Sequence, residues 1–437
     1  MDHILPRLYK DYGEYSNYRN FPLDLDGLKP VERRVLLSAY TIARTKLAKS
    51  RQVDSYTTGH YHPHGECYGT IVQLVKQGFL IGQGNYGSNV GVEPVGPAAP
   101  RYTECKLHPN TIEMAFKYIK YAPKVDTELN DIEPLWLPAM FPFCLMGNEY
   151  TQGIGFGYKT FIPCYSVGDL HKRLMWLLGH RKTKPTIAPL TDCKILASNA
   201  DLETLLTTGK AKIEVEGIIQ VNPRTNTVTL KSWPPGKRFE SFLNKFSKEL
   251  EAGLIGFTDL SVHDTDIAFQ VLRERNRDKI FKEFIIKLRE VLKGQISFEI
   301  TVVDVNKKVY TAAIDDMLLN TYNLFWTMND EMIKDKLSKL EDEISWMNTL
   351  LMIRPSLSEC LKTAYDADTA IDYITKESGI EKKYVEELLN KYRIKKLLTL
   401  DTDTSHLMRE KEELLKIQKN LDPFVLDQYE EIKKCST

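Results

Sequence analysis

The amino-acid sequence predicts an α+β protein that is divided into several domains. Its 437 residues exceed the length that a single hydrophobic core usually serves. Helical and alternating strand patterns mix up to about residue 310, and a long helical pattern without proline or glycine follows. These observations predict three regions, at residues 1–163, 164–312 and 313–437.

The first region is predicted to contain two helices, one that begins at Pro30 and one that begins at Glu66. Residues 8–18 are rich in tyrosine and are compatible with a short helix or an arm. Asp26-Gly-Leu-Lys-Pro30 is a turn that places proline at the first position of a helix. Arg33 and Arg34 are expected to point away from the apolar face of this helix. That face carries Val31, Val35, Ala39 and Ile42.

A second helix is predicted from Glu66 to about Gln77, directly after His62-Pro-His-Gly65. The glycine-rich segment Gly82-Gln-Gly-Asn-Tyr-Gly-Ser88 follows it. Two helices and a glycine-rich wing are typical of a winged helix-turn-helix. Two helices packed in an ordinary α/β domain are the alternative. Prolines between residues 111 and 163 favour extended segments and turns.

The second region is a mixed α/β block. Asn222-Pro-Arg-Thr225 is predicted to be a hairpin turn between two strands. Strands are predicted at 211–221, 226–232 and 267–272, and helices at 168–179, 199–207, 237–253 and 278–292.

The third region is predicted to be a helical stalk. Apolar residues recur at helical spacing from Ile314 to about Ile353, which predicts a helix of roughly 60 Å. A helix of that length needs a partner helix, and a second candidate runs from Ser405 to about Gln418. The helical insert between them is predicted to form a dimerisation knob at about 354–400. A coiled coil without any gating role is the alternative.

Composition excludes some classes of protein. The hydrophobic content of 42% and charged content of 27% are ordinary for a globular protein, and no apolar run is long enough to span a bilayer. The seven cysteines are odd in number and include no CxxC pair, which argues for reduced thiols, a cytoplasmic location and no zinc site. The net charge is zero, but residues 1–51 are basic and residues 401–437 acidic. This asymmetry is compatible with nucleic acid at one end and protein contacts at the other.

Tyr102 is the most informative candidate for chemistry. A phenol is a poor nucleophile near neutral pH unless cationic neighbours stabilise the phenolate. Arg101 is its chain neighbour, and His62, His64 and Arg34 stand in distinctive upstream segments. A tyrosine among arginines and histidines suits attack on a phosphodiester, because the transition state of that reaction carries spread anionic charge. Considered alone, Tyr102 would more often be a packing residue.

Together these segments resemble the DNA breakage-reunion subunit of type IIA topoisomerases, the gyrase A and topoisomerase IV A family. These segments mix features of different branches of the family, and in this the chain is similar to a short, split-subunit enzyme from a phage or virus. The order of the segments is maintained over nearly the whole chain. They are Asp26-Gly-Leu-Lys-Pro-Val-Glu-Arg-Arg34, Tyr61-His-Pro-His-Gly-Glu66, Gly82-Gln-Gly-Asn-Tyr-Gly-Ser88, Ala98-Ala-Pro-Arg-Tyr-Thr-Glu104, Leu137-Pro138, Gly153-Ile-Gly-Phe-Gly157, Thr160-Phe-Ile-Pro163 and Thr208-Gly-Lys210.

The resemblance implies a role for particular residues. Tyr102 is expected to attack a DNA phosphate and become joined to the 5′ end, while Arg101 binds the same phosphate. The resemblance implies that Ile154 is an apolar wedge that kinks DNA; a buried strand residue is the alternative. Further catalytic residues are expected at Arg19, Arg34, His62 and His64, and further DNA contacts at Lys29, Arg33, Gln83, Asn85 and Ser88.

The resemblance also implies partners. We expect a homodimer through the stalk, double-stranded DNA, and an ATPase partner that supplies Mg²⁺ and ATP in an A2B2 complex. No metal site is expected in this chain, and Asp401-Thr-Asp403 is interpreted as a helix cap. A cytoplasmic location on nucleoid or viral DNA follows, with relaxation or decatenation and no intrinsic supercoiling. The alternatives are a non-catalytic DNA-binding scaffold of the same fold, or another tyrosine transesterase such as a recombinase.

Overall fold

The structure, a computed structural model, describes residues 4–235, 239–262, 264–272, 275–363, 367–391 and 403–435. The chain forms two compact units. The first contains Met1–Phe325 and Gln428–Thr437, and the second contains Trp326–Asp427. The architecture is mixed α+β, as predicted. The three predicted domain boundaries are a finer division and stay predictions.

The N-terminal part of the first unit packs helices against a small antiparallel sheet, with Leu36, Ile71 and Leu107 buried between them. The helices are α1 (Ile4–Asn20), α2 (Pro30–Ile42), α3 (Ser50–His60), α4 (Tyr68–Lys76) and α5 (Pro109–Ala115). The strands are β1 (Ala48–Lys49), β2 (Leu80–Gln83) and β3 (Glu104–Leu107), in the order β1–β3–β2.

The prediction of only two helices after residue 30 is wrong, because α3 lies between them. Its sequence has little apolar periodicity, and its buried face is mostly polar, with Ser50, Asp54 and Thr57 beside Val53. These polar groups have hydrogen-bond partners. The Asp54 carboxylate, for example, accepts a hydrogen bond from the Cys67 backbone N–H at 2.6 Å. A helix with a polar buried face gives no hydrophobic period to detect.

Two hairpins and two larger sheets follow. The hairpins are β4 (Lys124–Asp126) with β5 (Ile132–Pro134), and β6 (Thr151–Ile154) with β7 (Lys159–Ile162). The five-stranded sheet has the order β6–β7–β14–β9–β8, with β8 (Lys194–Ile195), β9 (Lys210–Glu216) and β14 (Lys293–Glu299). The four-stranded sheet has the order β10–β11–β13–β12, with β10 (Ile219–Asn222), β11 (Thr227–Leu230), β12 (Ile255–Asp259) and β13 (Ile267–Val271).

Helices are interspersed with these strands along the chain. They are α6 (Val167–Leu177), α7 (Asn199–Thr208), α8 (Phe239–Leu243), α9 (Ser247–Glu251) and α10 (Arg277–Leu292). The core of the four-stranded sheet combines aliphatic residues with phenylalanines, and Phe246, Phe269 and Phe284 are buried in it. The predicted helix at 237–253 is shorter than expected, since α8 and α9 are separated by a 3-10 turn at Asn244–Phe246.

The predicted strand at 211–221 is two strands in two different sheets. Gly217 separates β9 from β10, and its N–H donates to the Leu292 carbonyl at 3.0 Å. A Cβ at this position would lie 2.5 Å from the Ser232 carbonyl oxygen. The close backbone approach at Gly217 therefore ends one sheet and starts the next.

The remaining elements complete both units. They are β15 (Thr301–Val303), β16 (Val309–Thr311), α11 (Ile314–Thr363), α12 (Ala367–Ser378), α13 (Lys382–Lys391), α14 (Ser405–Lys419) and α15 (Asp422–Cys435). Helix α11 continues through Pro355, beyond the predicted end near Ile353. Parts of the predicted knob, at 364–366 and 392–400, lie outside the described residues, as do Asp401 and Thr402.

The second unit has its own apolar core, in which Leu350, Ile353 and Ile374 are fully buried. Lys411 of α14 pairs with Glu341 of α11 at 2.8 Å. The coiled-coil description of these helices stays a prediction. No helix in the described part of the chain is long and apolar enough to cross a membrane.

Cysteine thiols are mostly inaccessible. Burial raises the pKa of Cys67 to about 12 and that of Cys105 and Cys164 to about 11. Among the six cysteines for which the structure gives an environment, Cys435 is exposed. The five buried ones are Cys67, Cys105, Cys144, Cys164 and Cys193.

Candidate functional site

Tyr102 lies on an exposed turn directly before β3. Its side chain is 65% exposed, which excludes the interpretation as a packing residue. The guanidinium carbon of Arg101 lies 4.6 Å from the centroid of the Tyr102 ring. A cation over the ring face is attracted by its quadrupole. The phenol is therefore accessible and has a cationic group beside it.

The segment around Tyr102 is fixed to the start of α3. The Ser50 N–H donates to the Thr103 carbonyl at 2.9 Å, and the Arg51 N–H donates to the Pro100 carbonyl at 3.2 Å. The Thr103 hydroxyl donates to the Ser50 hydroxyl at 2.8 Å. Thr103 is fully buried, so the residue next to Tyr102 is anchored while Tyr102 itself projects outward.

Four other predicted site residues share one pocket of about 160 Å³. Ligand sites are typically concave, and a few placed polar or charged groups give them specificity. The Arg19 guanidinium donates to the Tyr15 hydroxyl at 3.1 Å, and that hydroxyl lies 3.2 Å from His64 Nε2. The lining residues are Tyr15, Tyr18, Arg19, Asn20, Pro30, Val31, Arg34, His62, His64 and Glu128.

Arg34 connects this pocket to β5. Its Nε and Nη2 donate to the two carboxylate oxygens of Glu133 at 2.8 and 2.7 Å. Its Nη1 lies 3.2 Å from His62 Nδ1. The rings of His62 and His64 are 5.3 Å apart in an edge-on arrangement. The pocket therefore joins two histidines and two arginines from three separate segments of the chain.

The pKa of His62 is lowered to about 4. Burial is the largest cause, and the nearby Arg34, His64 and Arg19 act in the same direction, while Glu128 opposes them. A neutral imidazole is therefore the dominant form of His62 at neutral pH.

Tyr102 is not one of the residues that line this pocket. Its segment is bound to the first turn of α3, whereas His62 follows the last turn of the same helix. An eleven-residue helix extends over about 16 Å at 1.5 Å per residue. One chain thus carries two separate groups of predicted catalytic residues, at opposite ends of α3.

Arg33 has a different position from the one predicted. It is 5% exposed, and its guanidinium binds both carboxylate oxygens of Asp26 at 2.7 and 2.9 Å. The expectation that Arg33 points away from the apolar face is wrong, because its guanidinium is buried against Asp26. Its contact with DNA stays a prediction. Lys29 is half-buried, and its Nζ donates to the Gln152 carbonyl of β6 at 2.5 Å.

Ile154 stands at the end of β6 and is 81% exposed, which excludes the buried-strand alternative. Asn17 of α1 holds the residues beyond it. The Phe156 N–H donates to the Asn17 side-chain oxygen at 2.7 Å, and the Asn17 amide donates to the Phe156 carbonyl at 3.3 Å. The hairpin tip is therefore fixed by the N-terminal helix while Ile154 projects outward.

The glycine-rich segment carries Gln83 and Asn85 on its exposed side, with Ser88 partly exposed. Asn85 accepts a hydrogen bond from the Gly87 N–H at 2.8 Å. Further along this loop, the Val92 N–H donates to the Asp259 carboxylate of β12 at 2.7 Å. The four-stranded sheet thus supports the loop that leads to Tyr102.

Sequence reasoning did not identify Tyr15 and Glu133 as site residues. The tyrosine-rich composition of residues 8–18 was the available signal for Tyr15. Glu133 gives no local sequence signal, because its partner Arg34 lies 99 positions away along the chain. Across the described residues, no group of three or more His, Cys, Asp or Glu side chains could hold a metal ion.

The model of the DNA gyrase/topoisomerase IV A-subunit family matches residues 19–434. This chain belongs to that family. The DNA gyrase A protein of Mycolicibacterium smegmatis is 27% identical over 350 residues, which cover 73% of this chain and 40% of that protein. The DNA topoisomerase 4 A protein of Bacillus subtilis (strain 168) is 35% identical over 176 residues, covering 36% of this chain and 21% of that protein.

A gyrase A protein from another genus is also similar to this chain. The DNA gyrase A protein of Mycobacterium tuberculosis (strain H37Rv) is 28% identical over 326 residues, or 67% of this chain and 38% of that protein. The chain therefore spans about two fifths of the length of the gyrase relatives it matches. It is a gyrase A-like protein of the type IIA class.

Proposed function

We propose that this chain is the DNA cleavage and religation component of an ATP-dependent type IIA topoisomerase. The observation that carries the proposal is the exposed Tyr102 with Arg101 over its ring, in a chain of the gyrase A and topoisomerase IV A family. The transient double-strand break would let a second duplex pass, relaxing or decatenating DNA.

The proposed reaction exchanges one phosphodiester for another. The Tyr102 oxygen forms a bond to the phosphorus, the bond to the 3′ oxygen breaks, and the phenolic proton is lost as the 3′ hydroxyl gains one. Resealing is the reverse attack by that hydroxyl on the phosphotyrosine. Since one phosphodiester replaces another, the exchange itself needs no ATP. Arg101 supplies positive charge to the phosphate, for which arginine has suitable geometry.

We propose that Arg19, Arg34, His62 and His64 complete the site by binding DNA phosphate. Their separation from Tyr102 along α3 supports a site that is shared between two copies of the chain. The tyrosine of one copy would then act beside the pocket of the other. A homodimer through α11 and α14 is compatible with this arrangement.

Other roles in the proposal concern DNA and the ATPase partner. Lys29, Gln83, Asn85 and Ser88 are proposed to touch the DNA backbone, and Ile154 to act as a wedge between base pairs. Helices α3 and α4 with the β1–β3–β2 sheet are proposed to form the winged helix. A B-type ATPase partner would supply Mg²⁺ and ATP in an A2B2 complex.

Replacement of Tyr102 tests the proposal. The chain and its ATPase partner are incubated with supercoiled plasmid and Mg²⁺, and covalent protein–DNA adducts are trapped with denaturant. We expect Tyr102→Phe to abolish adducts, because the nucleophilic oxygen is absent. Tyr12→Phe is a matched control on an exposed tyrosine of α1 and should leave adducts in place. Adducts that persist in Tyr102→Phe would exclude this tyrosine as the nucleophile.

A further inference from the structure

Glu133 is a carboxylate that the proposed chemistry does not use, although it makes the most complete ion pair in the pocket region. Both of its oxygens accept hydrogen bonds from Arg34, and the two side chains are only 12% and 15% exposed. A bidentate arginine–carboxylate pair fixes orientation as well as charge. Glu133 therefore determines how the Arg34 guanidinium is turned.

The orientation of Arg34 determines the hydrogen position on His62. A guanidinium has five N–H donors and no acceptor. Its Nη1 lies 3.2 Å from His62 Nδ1, so Nδ1 must accept and cannot carry a hydrogen. A neutral imidazole without hydrogen on Nδ1 carries it on Nε2.

The Nε2 hydrogen of His62 is available to a ligand. His62 lines the pocket, and no described residue takes a hydrogen bond from its Nε2. The charged and titratable groups that face the ring are Arg34, Arg19, His64 and Glu128. Arg34 uses three of its five N–H donors on Glu133 and His62, which leaves two for a DNA phosphate.

We infer that Glu133 is a positioning residue that acts through Arg34 to hold His62 as the neutral tautomer with its hydrogen on Nε2. His62 then donates that hydrogen bond to an oxygen of the scissile phosphodiester. This inference rests on the proposed function. It assigns His62 the role of a neutral donor, whereas Arg19, Arg34 and Arg101 supply the positive charge.

Three substitutions of His62 separate a neutral Nε2 donor from other roles. A glutamine amide nitrogen occupies nearly the position of Nε2, whereas an asparagine amide nitrogen occupies nearly that of Nδ1. We expect His62→Gln to keep the cleavage rate within about tenfold of wild type. His62→Asn and His62→Ala should lose about 100- to 1,000-fold, the usual effect of removing one donor to a developing oxyanion.

Substitution of Glu133 tests the relay itself. Glu133→Gln keeps the shape of the side chain and removes its charge, and we expect cleavage to slow about tenfold or more. The same change in a His62→Ala background should cost less than in wild type, because the part of its effect that passes through His62 is already lost. Asp126→Asn is the matched control, since Asp126 is an exposed carboxylate on the other strand of the same hairpin. Equal, additive losses from Glu133→Gln in both backgrounds would overturn the relay.

An NMR measurement that needs no enzymatic activity tests the tautomer of His62 separately from the proposed cleavage function. The ¹⁵N chemical shifts of His62 in the full-length chain should be those of a neutral ring with hydrogen on Nε2, and Glu133→Gln should shift this tautomer balance. A ring with hydrogen on Nδ1, or a doubly protonated ring at neutral pH, would overturn the inference. If Tyr102-dependent adducts form but His62→Gln is no better than His62→Ala, the donor role fails and the proposed function stands. Failure of wild type to form adducts would instead overturn the proposed function.

Discussion

At the scale of single residues, His62 couples the pocket to the stability of the fold. Burial, with help from Arg34, His64 and Arg19, lowers its pKa to about 4, and Glu128 opposes the shift. Between about pH 6.5 and 4 the unfolded chain gains a proton at this histidine while the folded chain does not. The unfolded state then binds more protons, so this contribution to stability is present above pH 6.5 and is lost as the pH falls.

We therefore expect His62→Gln to reduce the pH dependence of unfolding in this window. Urea unfolding midpoints measured for wild type and variant at pH 7.5, 6.0 and 5.0 test this expectation. The midpoint of the variant should fall less between pH 7.5 and 5.0 than that of wild type. A parallel decrease in the two proteins would mean that His62 does not contribute to it.

Arg33 and Arg34 show what a motif can and cannot reveal about neighbouring residues. Both belong to one sequence segment, yet Arg33 is buried against Asp26 and Arg34 lines the pocket. The motif located the pocket residue, but it could not separate the two arginines. Their difference depends on Asp26 and Glu133, which pair with them from outside α2. Glu133 lies 99 positions from Arg34 along the chain, and a local sequence pattern does not show a pair of that kind.

At the scale of secondary-structure elements, the β6–β7 hairpin is held at Gly155. A Cβ there would lie 2.2 Å from the Asn17 side-chain oxygen and 2.7 Å from the ring of buried Phe21. We expect Gly155→Ala to destabilise the protein by about 1–3 kcal/mol, the usual cost of overpacking. The measurement is the shift of the urea unfolding midpoint.

Gly59 in α3 is the matched control for this substitution. No heavy atom lies within 4 Å of a Cβ built at Gly59, and alanine favours helix over glycine by about 1 kcal/mol. Gly59→Ala should therefore leave the midpoint unchanged or raise it. A lower midpoint for Gly59→Ala, or an unchanged one for Gly155→Ala, would contradict the packing argument.

The elements differed in how well the sequence predicted them. Helix α10 and the start of α11 have clear apolar periods, and their predicted bounds lie close to the observed ones. Helix α3 was missed because its buried face is polar, and β9 and β10 were merged because alternation alone does not show a change of sheet. The segment containing Tyr102 was identified by its motif, but its distance from the pocket depends on the packing of α3.

At the scale of the whole molecule, the two groups at opposite ends of α3 predict complementation between damaged chains. In a dimer of Tyr102→Phe with Arg34→Ala, a shared site would combine the intact tyrosine of one chain with the intact pocket of the other. We expect such mixed dimers to nick plasmid DNA on one strand in the presence of the ATPase partner. Each parent homodimer should be strongly impaired.

The control is a mixed dimer of Tyr102→Phe with wild type, which keeps one intact site whether sites are shared or not. Gel analysis of nicked and linear plasmid measures the outcome. If the dimer of two damaged chains is inactive while this control nicks DNA, each site is built within one chain.

The distribution of thiols has a practical consequence for following the molecule in solution. Burial makes Cys67, Cys105 and Cys164 poor nucleophiles, whereas Cys435 at the end of α15 is exposed. We expect a maleimide dye at neutral pH to modify Cys435 well before these three, as peptide mass spectrometry can show. Cys435→Ser is the control and should lose that fast labelling. A fluorophore could then be placed on α15 without engineering the folded core, so that fluorescence anisotropy could report binding of the proposed ATPase partner or of DNA to the chain.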